Sequence, residues 1–202
     1  MTDITKKLVD KTRQWASTAG DFITLIDGLM LTRQDAIFRH DNIYAAPRLL
    51  VGLQGCRYTV SDHHEYWFGP NQCLVLGGNL ISSSRAPGAC SLNPFLSISL
   101  SLNGSVIKQL LEEAPYLSRP IAENAENQTT VTADSGVMEA FFRLVTLLEK
   151  PSQIPYLAPL FIKEIHYRLL LGPLNPSLRN LGTPPAHCQG LNASDKGQTI
   201  LH

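Results

Sequence analysis

The feature that most constrains this fold is a short run in which apolar and hydroxyl side chains alternate without exception. Four apolar residues are separated by three serines: Leu96, Ser97, Ile98, Ser99, Leu100, Ser101 and Leu102. A period of two places the two sets on opposite faces of a β-strand, and no α-helix separates them in this way. The run therefore predicts a strand over 95–102.

The chain before this strand divides into two parts. Residues 2–19 have helical spacing and a capping residue, Thr2, and a second short helix is predicted from Asp21 through Leu29, so that 1–30 form N-terminal helices. Between 31 and 102, short apolar runs are broken by turn signals roughly every 8–12 residues, a spacing typical of a β-sandwich or small barrel. The turns include Gly69-Pro70-Asn71.

After residue 102 the period changes to that of a helix. Asn103 begins one helix, Asp134 or Ser135 begins another over 134–149, and the last runs over 154–171 with prolines in its first turns. Residues 103–182 are therefore predicted to form an arm of about three helices. A polar stretch over 116–133 connects the first two, and 183–202 is expected to be a disordered tail.

The last two helices carry an apolar stripe that admits two interpretations. Packing against the barrel is the more common reason for such a stripe, and a homodimer interface that shares this packing is the sharper hypothesis. The interface candidates are Val137, Phe141, Leu144, Leu148, Phe161, Ile165 and Leu169.

Composition excludes several classes of protein. Seventeen basic residues balance seventeen acidic ones, so nothing indicates a dedicated nucleic-acid surface. No apolar run reaches the length of a membrane span, and the first 20 residues lack the apolar centre of a secretory signal. The four cysteines include no pair at two-residue spacing, so we expect reduced thiols, a cytoplasmic location and no membrane partner.

Several segments are similar to a known family of regulators. Leu53-Gln54-Gly55 and the segment 68–75 (FGPNQCLV) resemble motifs of the N-terminal domain of AraC/XylS-type transcriptional regulators, and 156–173 (YLAPLFIKEIHYRLLLGP) is similar to that family nearly throughout. The resemblance implies an α+β fold, a cupin-like barrel (jelly roll) with a helical arm. It also implies a domain that senses an effector or mediates dimerisation beside a separate helix-turn-helix domain that binds DNA.

The sequence after residue 183 does not continue into the helices of such a DNA-binding domain. We therefore expect that this chain alone does not read DNA. The hypothesis is an effector-sensing and dimerising regulatory domain. The alternatives are a stand-alone cupin metal enzyme and a pure dimerisation module without a ligand.

An enzyme would need chemistry that the motifs do not favour. His63 and His64 are adjacent, so a strand would direct them to opposite faces, and Glu65 follows without a further histidine in the barrel. A hairpin turn is the simpler interpretation. Nucleophile elbows, phosphate loops and zinc-protease motifs are absent from the sequence. We therefore predict no catalytic residues, no metal and no cofactor.

A pocket inside the barrel is the functional expectation, with Arg48, Gln54, Tyr58 and Trp67 as candidate ligand contacts. Tyrosine and tryptophan stack on rings, and arginine binds carboxylates, although core packing or solvated strand ends explain the same residues. Cys56 is a further candidate, as a thiol sensor, because a positive charge such as that of the adjacent Arg57 lowers a thiol pKa. Cys73 and Cys90 are predicted to be buried strand thiols.

Overall fold

We describe the chain from a computed structural model, which covers residues 2–61, 64–118 and 130–182. The predicted tail 183–202 and the middle of the polar connection lie outside the described residues. The described residues form ten strands: β1 (Gly20–Ile23), β2 (Leu29–Gln34), β3 (His40–Tyr44), β4 (Arg48–Gln54), β5 (Arg57–Ser61), β6 (His64–Phe68), β7 (Gln72–Leu76), β8 (Leu80–Arg85), β9 (Phe95–Ser101) and β10 (Thr130–Thr132).

The strands form two antiparallel sheets that face each other. One has six strands in the order β1-β2-β9-β4-β7-β10, and the other has four in the order β3-β8-β5-β6. Because β4 lies between β9 and β7, strands distant in sequence become neighbours. The α+β class is confirmed, and the predicted barrel is present as two separate antiparallel sheets, not closed into one within the described residues.

The strand predicted from the alternating run is present, and both of its faces are buried. Leu96, Ile98 and Leu100 belong to the main apolar core, which packs against the helices. Ser97 and Ser99 are equally inaccessible, at 2% and 3% exposure, on the opposite face. The serine face of β9 therefore looks into the space between the two sheets.

Five α-helices occur in the same described ranges, and their apolar residues share one core with the outer face of the six-stranded sheet: α1 (Asp3–Trp15), α2 (Gly104–Glu113), α3 (Ser135–Thr146), α4 (Ile154–Leu170) and α5 (Asn175–Gly182). Three begin at the capping residues expected from the sequence, Thr2, Asn103 and Asp134. Short 3-10 turns extend α2 at Pro115–Ser118 and join α3 to α4 at Leu147–Glu149 and Pro151–Gln153. No helix in the described parts is both long and apolar enough to cross a membrane.

The second N-terminal helix predicted from Asp21 is wrong. Residues 20–34 instead form the β1–β2 hairpin, in which Phe22 lies opposite Leu31. Thr24 closes the turn because its hydroxyl accepts from the Ile26 amide and donates to the Leu29 carbonyl. The apolar spacing of this segment suits a helix, but pairing with β9 gives each residue of β2 a partner.

The residues assigned to a dimer interface lie in the core of the single chain. Six have exposures of 4% or less: Val137, Phe141, Leu144, Leu148, Ile165 and Leu169. They fill the space between α3, α4 and the sheet, so they offer no surface to a second subunit, and packing against the sheet explains the stripe. Phe161 is half-buried, with the Arg143 guanidinium 5.5 Å from its ring centroid.

Candidate ligand site between the two sheets

The faces of the two sheets that look at each other are lined with polar side chains. We call this set the inter-sheet cluster; its members are Asp21, Thr32, Gln34, His40, Asn42, Tyr44, Arg48, Arg57, Thr59, Ser61, Ser82, Ser84, Ser97 and Ser99. The register explains the grouping on the four-stranded sheet, where Ser84 lies opposite both Thr59 and His40. A protein interior normally excludes so many polar groups, which makes this region exceptional within the fold.

Arg57 is the most deeply buried charge of the cluster. Its side chain is 2% exposed, and its Nη2 donates to the Ser84 hydroxyl. The guanidinium carbon lies 5.5 Å from the centroid of the Phe95 ring, which belongs to the opposite sheet. Arg57 therefore spans the space between the sheets, and desolvation lowers the pKa of its guanidinium.

Arg48 approaches the same space from the six-stranded sheet. Its Nη2 donates to the Gly28 carbonyl at 2.8 Å and to the Ser99 hydroxyl at 3.1 Å, and its Nη1 donates to the Ser101 hydroxyl at 3.0 Å. Its guanidinium carbon is 6.0 Å from the centroid of the Tyr44 ring. Burial raises the pKa of the Tyr44 phenol, so this hydroxyl stays protonated at neutral pH.

One carboxylate belongs to the cluster, and it is already engaged. Asp21 accepts a hydrogen bond from the Thr32 hydroxyl at 2.6 Å through Oδ1, and its Oδ2 lies 2.8 Å from His40 Nε2. This chain of contacts joins β1 and β2 of one sheet to β3 of the other. Asp21 thus joins the two sheets at one side, makes no direct ion pair with Arg48 or Arg57, and acts on their charges only at longer range.

Other polar atoms of the cluster have no hydrogen-bond partner within the protein. They include Gln34 Nε2 and Oε1, Arg48 Nε, Arg57 Nε and Thr59 Oγ1, all inaccessible to solvent. A buried polar group without a partner costs about 1–3 kcal/mol. So many in one region distinguish the space between the sheets from the apolar core beneath the helices.

The structure separates the four residues predicted as ligand contacts. Arg48 is in the cluster. Gln54 lies at the end of β4, where its amide donates to the Pro94 carbonyl at 2.7 Å and accepts from Arg13 at 3.0 Å. Tyr58 and Trp67 pair on the outer face of the four-stranded sheet, with ring centroids 5.0 Å apart, and Trp67 is 57% exposed. These two rings point away from the inter-sheet cluster.

Sequence reasoning missed Arg57 as a ligand contact, although a signal was available. In the segment 57–61, polar residues alternate with Tyr58 and Val60, so Arg57, Thr59 and Ser61 share one face of a strand. The burial pattern of β5 shows that this polar face is the inner one. Arg57 was considered earlier only as a charge beside Cys56, and its guanidinium is instead held inside the fold.

The cysteines differ in their surroundings. Cys73 is buried against the helices, and burial raises the pKa of its thiol to about 12. Cys56 is exposed, next to the close approach of Gly55 and Gly69. Cys90 is also exposed, which corrects the prediction that it is a buried strand thiol.

The residues considered for a metal site do not converge. His64 and Glu65 are neighbours on β6 and so lie on opposite faces of the strand, and His63 lies outside the described residues. Within the ranges that the structure covers, no three histidine, cysteine or carboxylate side chains are grouped to hold a metal ion.

A groove of about 670 Å³ runs along the helical side of the molecule, at the end of the six-stranded sheet. One wall is the β1–β2 turn with Gly28 and the end of β9 with Ser101; the other wall is the first half of α4. Arg48 donates hydrogen bonds to Gly28 and Ser101, so one arginine connects the inter-sheet cluster to the groove.

A family model for the N-terminus of AraC-type transcriptional regulators matches residues 25–177. The chain belongs to this family. The match includes nine of the ten strands, all but β1, and extends into α5. The earlier resemblance is thus confirmed. A comparison with curated proteins finds no match.

Solved structures of cupin proteins show more distant similarity. A cupin superfamily protein from Desulfitobacterium hafniense is 16% identical, with a TM-score of 0.32 over 37% of this chain and 64% of that protein. The cupin domain of an XRE family transcriptional regulator from Enterobacter cloacae is 15% identical, with a TM-score of 0.31 over 36% of this chain and 76% of that one. No functional conclusion follows from similarities of this size.

Proposed function

We propose that this regulatory domain senses a small polar molecule that binds between the two sheets. The observation that carries the proposal is the set of buried, unpartnered polar atoms in the inter-sheet cluster, including Gln34, Arg57 and Thr59. A ligand that offers donors and acceptors to these atoms removes their desolvation cost and so binds the folded state selectively. On this proposal the domain is a sensor and not an enzyme, and it acts in the cytoplasm without a cofactor.

The signal is proposed to leave the site through Arg48. A ligand that contacts this guanidinium changes its hydrogen bonds to Gly28 and Ser101, which form one wall of the groove against α4. The domain must bind the ligand with different affinity before and after this change in hydrogen bonding, because otherwise no equilibrium shifts. This mechanism gives a role to the hydrogen bonds that the half-buried Arg48 donates to the β1–β2 turn and to the end of β9.

The receiver of the signal is proposed to be a homodimer contact on α4. Tyr156 and Leu160 lie one turn apart and are 77% and 61% exposed, on the helix whose first half lines the groove. A shift of this helix would reorient the two copies, and with them the helix-turn-helix domains that contact DNA. Those domains are proposed to lie outside the region matched by the family model.

The test of sensing is a thermal-shift screen of the chain against sugars, aromatic acids, aldehydes and divalent metals. A ligand specific for the folded state raises the melting temperature in a saturable way. The matched variants are Thr59→Val, inside the cluster, and Val60→Thr, its outward-facing neighbour. Loss of the response in the first variant alone supports the proposal. A response to metals only would favour the enzyme alternative, and no response to any class would contradict sensing.

The test of dimerisation is light scattering with Leu160→Glu. The variant is expected to be monomeric at concentrations at which the original chain is dimeric, because a charge replaces an exposed apolar side chain. Leu92→Glu, which changes a residue that is 93% exposed in the loop before β9, is the control. A monomeric original chain at high concentration would contradict the homodimer.

A further inference from the structure

The balance of charge inside the fold indicates what kind of molecule the site takes. Two guanidinium groups, Arg48 and Arg57, face the inter-sheet space, and the one carboxylate of the cluster, Asp21, is bound to Thr32 and His40. Neither arginine is within 4.0 Å of an acidic side chain among the described residues. The space therefore has an excess of positive charge.

The groups in direct contact with Arg57 are neutral, and the Asp21 carboxylate acts on it only at longer range. Its Nη2 donates to Ser84, its flat face approaches the Phe95 ring, and one orientation of the Asn42 amide also reaches Nη2 at 3.1 Å. Such contacts satisfy single donors but do not compensate a buried charge, which is costly in a medium of low dielectric constant. An anion bound at this point would supply the missing charge.

Both arginines have a donor atom that is available to an oxyanion. Arg57 Nε is buried without an acceptor, as is Arg48 Nε. A guanidinium presents parallel N–H groups that match the two oxygens of a carboxylate. Two such groups on facing sheets favour a ligand with a carboxylate over an uncharged sugar.

The surface beside Arg57 is apolar and therefore favours a ligand whose remaining part is also apolar. A second hydrophobic cluster lies on the inner faces of the two sheets: Tyr44, Leu50, Phe68, Leu74, Leu76, Ala86 and Phe95. Phe68 and Phe95 meet edge to face with centroids 5.9 Å apart, and Phe95 also contacts Arg57. A molecule with its charge on Arg57 thus places its other end against aromatic and aliphatic side chains.

We infer that the effector is a small organic carboxylate, with its carboxylate on Arg57 and its apolar part against Phe95. This inference rests on the proposed sensing function and adds the chemical class of the ligand. It also assigns Arg57 as the anchor and Arg48 as the second contact, from which the signal passes to Gly28 and Ser101.

The experiment is calorimetric titration of the full chain with sodium benzoate and sodium hexanoate. Benzamide and hexanamide, which have the same shape without the charge, are the matched controls, and inorganic phosphate is a separate arm. We expect a saturable signal for at least one carboxylate. Its amide should bind at least about tenfold more weakly, because a hydrogen bond to a charged group contributes more than one between neutral groups.

Three variants locate the contact. Arg57→Met should abolish the carboxylate signal, and Arg57→Lys, which keeps the charge and loses the paired donors, should weaken it about tenfold or more. Arg85→Met is the control, because Arg85 is exposed at the end of β8. Circular dichroism identifies a variant that fails to fold, in which case the lysine variant decides.

The outcomes separate the two proposals. A response to phosphate alone, or carboxylate binding that persists unchanged in Arg57→Met, would overturn the assignment of an organic carboxylate to Arg57. Binding of neutral sugars that is lost in Thr59→Val would keep the sensor and overturn the ligand class. The absence of any response to carboxylates, phosphate and sugars would overturn both.

Discussion

The molecule has two interiors of opposite chemistry, divided by the six-stranded sheet. Between this sheet and the helices lies an apolar core, in which Phe141, Leu144 and Ile165 are completely buried. Between the two sheets lies a mainly polar interior, in which two arginines and several unpartnered polar atoms lie beside a smaller apolar cluster. The first interior stabilises the fold by burial of apolar surface, whereas the unpartnered polar atoms of the second cost stability, and we propose that a ligand compensates this cost.

Strand β9 belongs to both interiors and shows why they stay separate. Its leucines face the helices and its serines face the other sheet, and a shift of one residue in its pairing would exchange the two sets. The register of β9 with β2 and β4 is therefore fixed from both sides. The following experiments test whether the two interiors have different roles.

The largest expected difference is in thiol reactivity. With a pKa of about 12, against an ordinary value of 9.0, Cys73 in the apolar core holds about a thousandfold less thiolate at neutral pH than an ordinary thiol. Alkylation by iodoacetamide, followed by peptide mass spectrometry, should modify the exposed Cys56 and Cys90 long before Cys73. Equal rates for Cys73 and Cys90 would show that the core opens readily. A Cys56 that reacts no faster than Cys90 would end the thiol-sensor hypothesis.

Truncation in the apolar core should be severe. Phe141→Ala removes a ring that is 0% exposed and is expected to lower the free energy of unfolding by about 3–5 kcal/mol. Urea denaturation measures it, and Phe38→Ala, at a ring that is 46% exposed, should change it by about 0.5 kcal/mol or less. Similar losses in both variants would contradict the assignment of the core.

The apolar core also contains a pH-sensitive contact. His166 on α4 accepts from the Asn103 amide at 3.0 Å and donates to the Ile162 carbonyl at 2.8 Å, and desolvation lowers its pKa. Below about pH 6.5 the unfolded chain therefore binds more protons than the folded chain. The free energy of unfolding decreases there as the pH is lowered, by at most about 1.4 kcal/mol per pH unit. Urea denaturation between pH 5 and pH 8 tests this, and the slope should decrease in His166→Gln. An unchanged slope would show that other titratable groups cause the pH dependence of stability.

Replacement of Arg57, between the two sheets, should not lower the free energy of unfolding. Arg57→Met removes an uncompensated buried charge and keeps most of the volume, so the ligand-free variant is expected to be as stable as the original chain or about 1 kcal/mol more stable. Urea denaturation without ligand measures this, with Arg85→Met as reference. A loss as large as that of Phe141→Ala would make Arg57 part of the structural framework.

The smallest expected effect lies outside both interiors. Trp67→Ala removes one ring of the outer pair with Tyr58 and should lower the melting temperature by about 2–4 °C. It should leave the ligand response unchanged, because Trp67 faces away from the inter-sheet cluster. A weakened ligand response in this variant would place the binding site on the outer face of the sheet.

The sequence predicted a large part of the fold because its local signals were strong. The alternation at 96–102, the caps at Asn103 and Asp134, and the helix over 154–171 all correspond to elements of the structure. The segment 21–29 was misread, since its apolar spacing suits a helix and only pairing with β9 makes it a hairpin. Strand β10, in the polar connection, has three residues and depends on its pairing with β7.

By itself the sequence determined the change from short strands to helices after residue 102, the family and the presence of a strand with one apolar and one polar face. Only the tertiary structure decided where these faces lie. The serines of β9 look inward because a second sheet covers them, Arg57 and not Trp67 lies in the space between, and the stripe on α3 and α4 is used within one chain. A periodic pattern fixes which side chains share a face, but burial depends on which element packs against that face, and that element is distant in sequence.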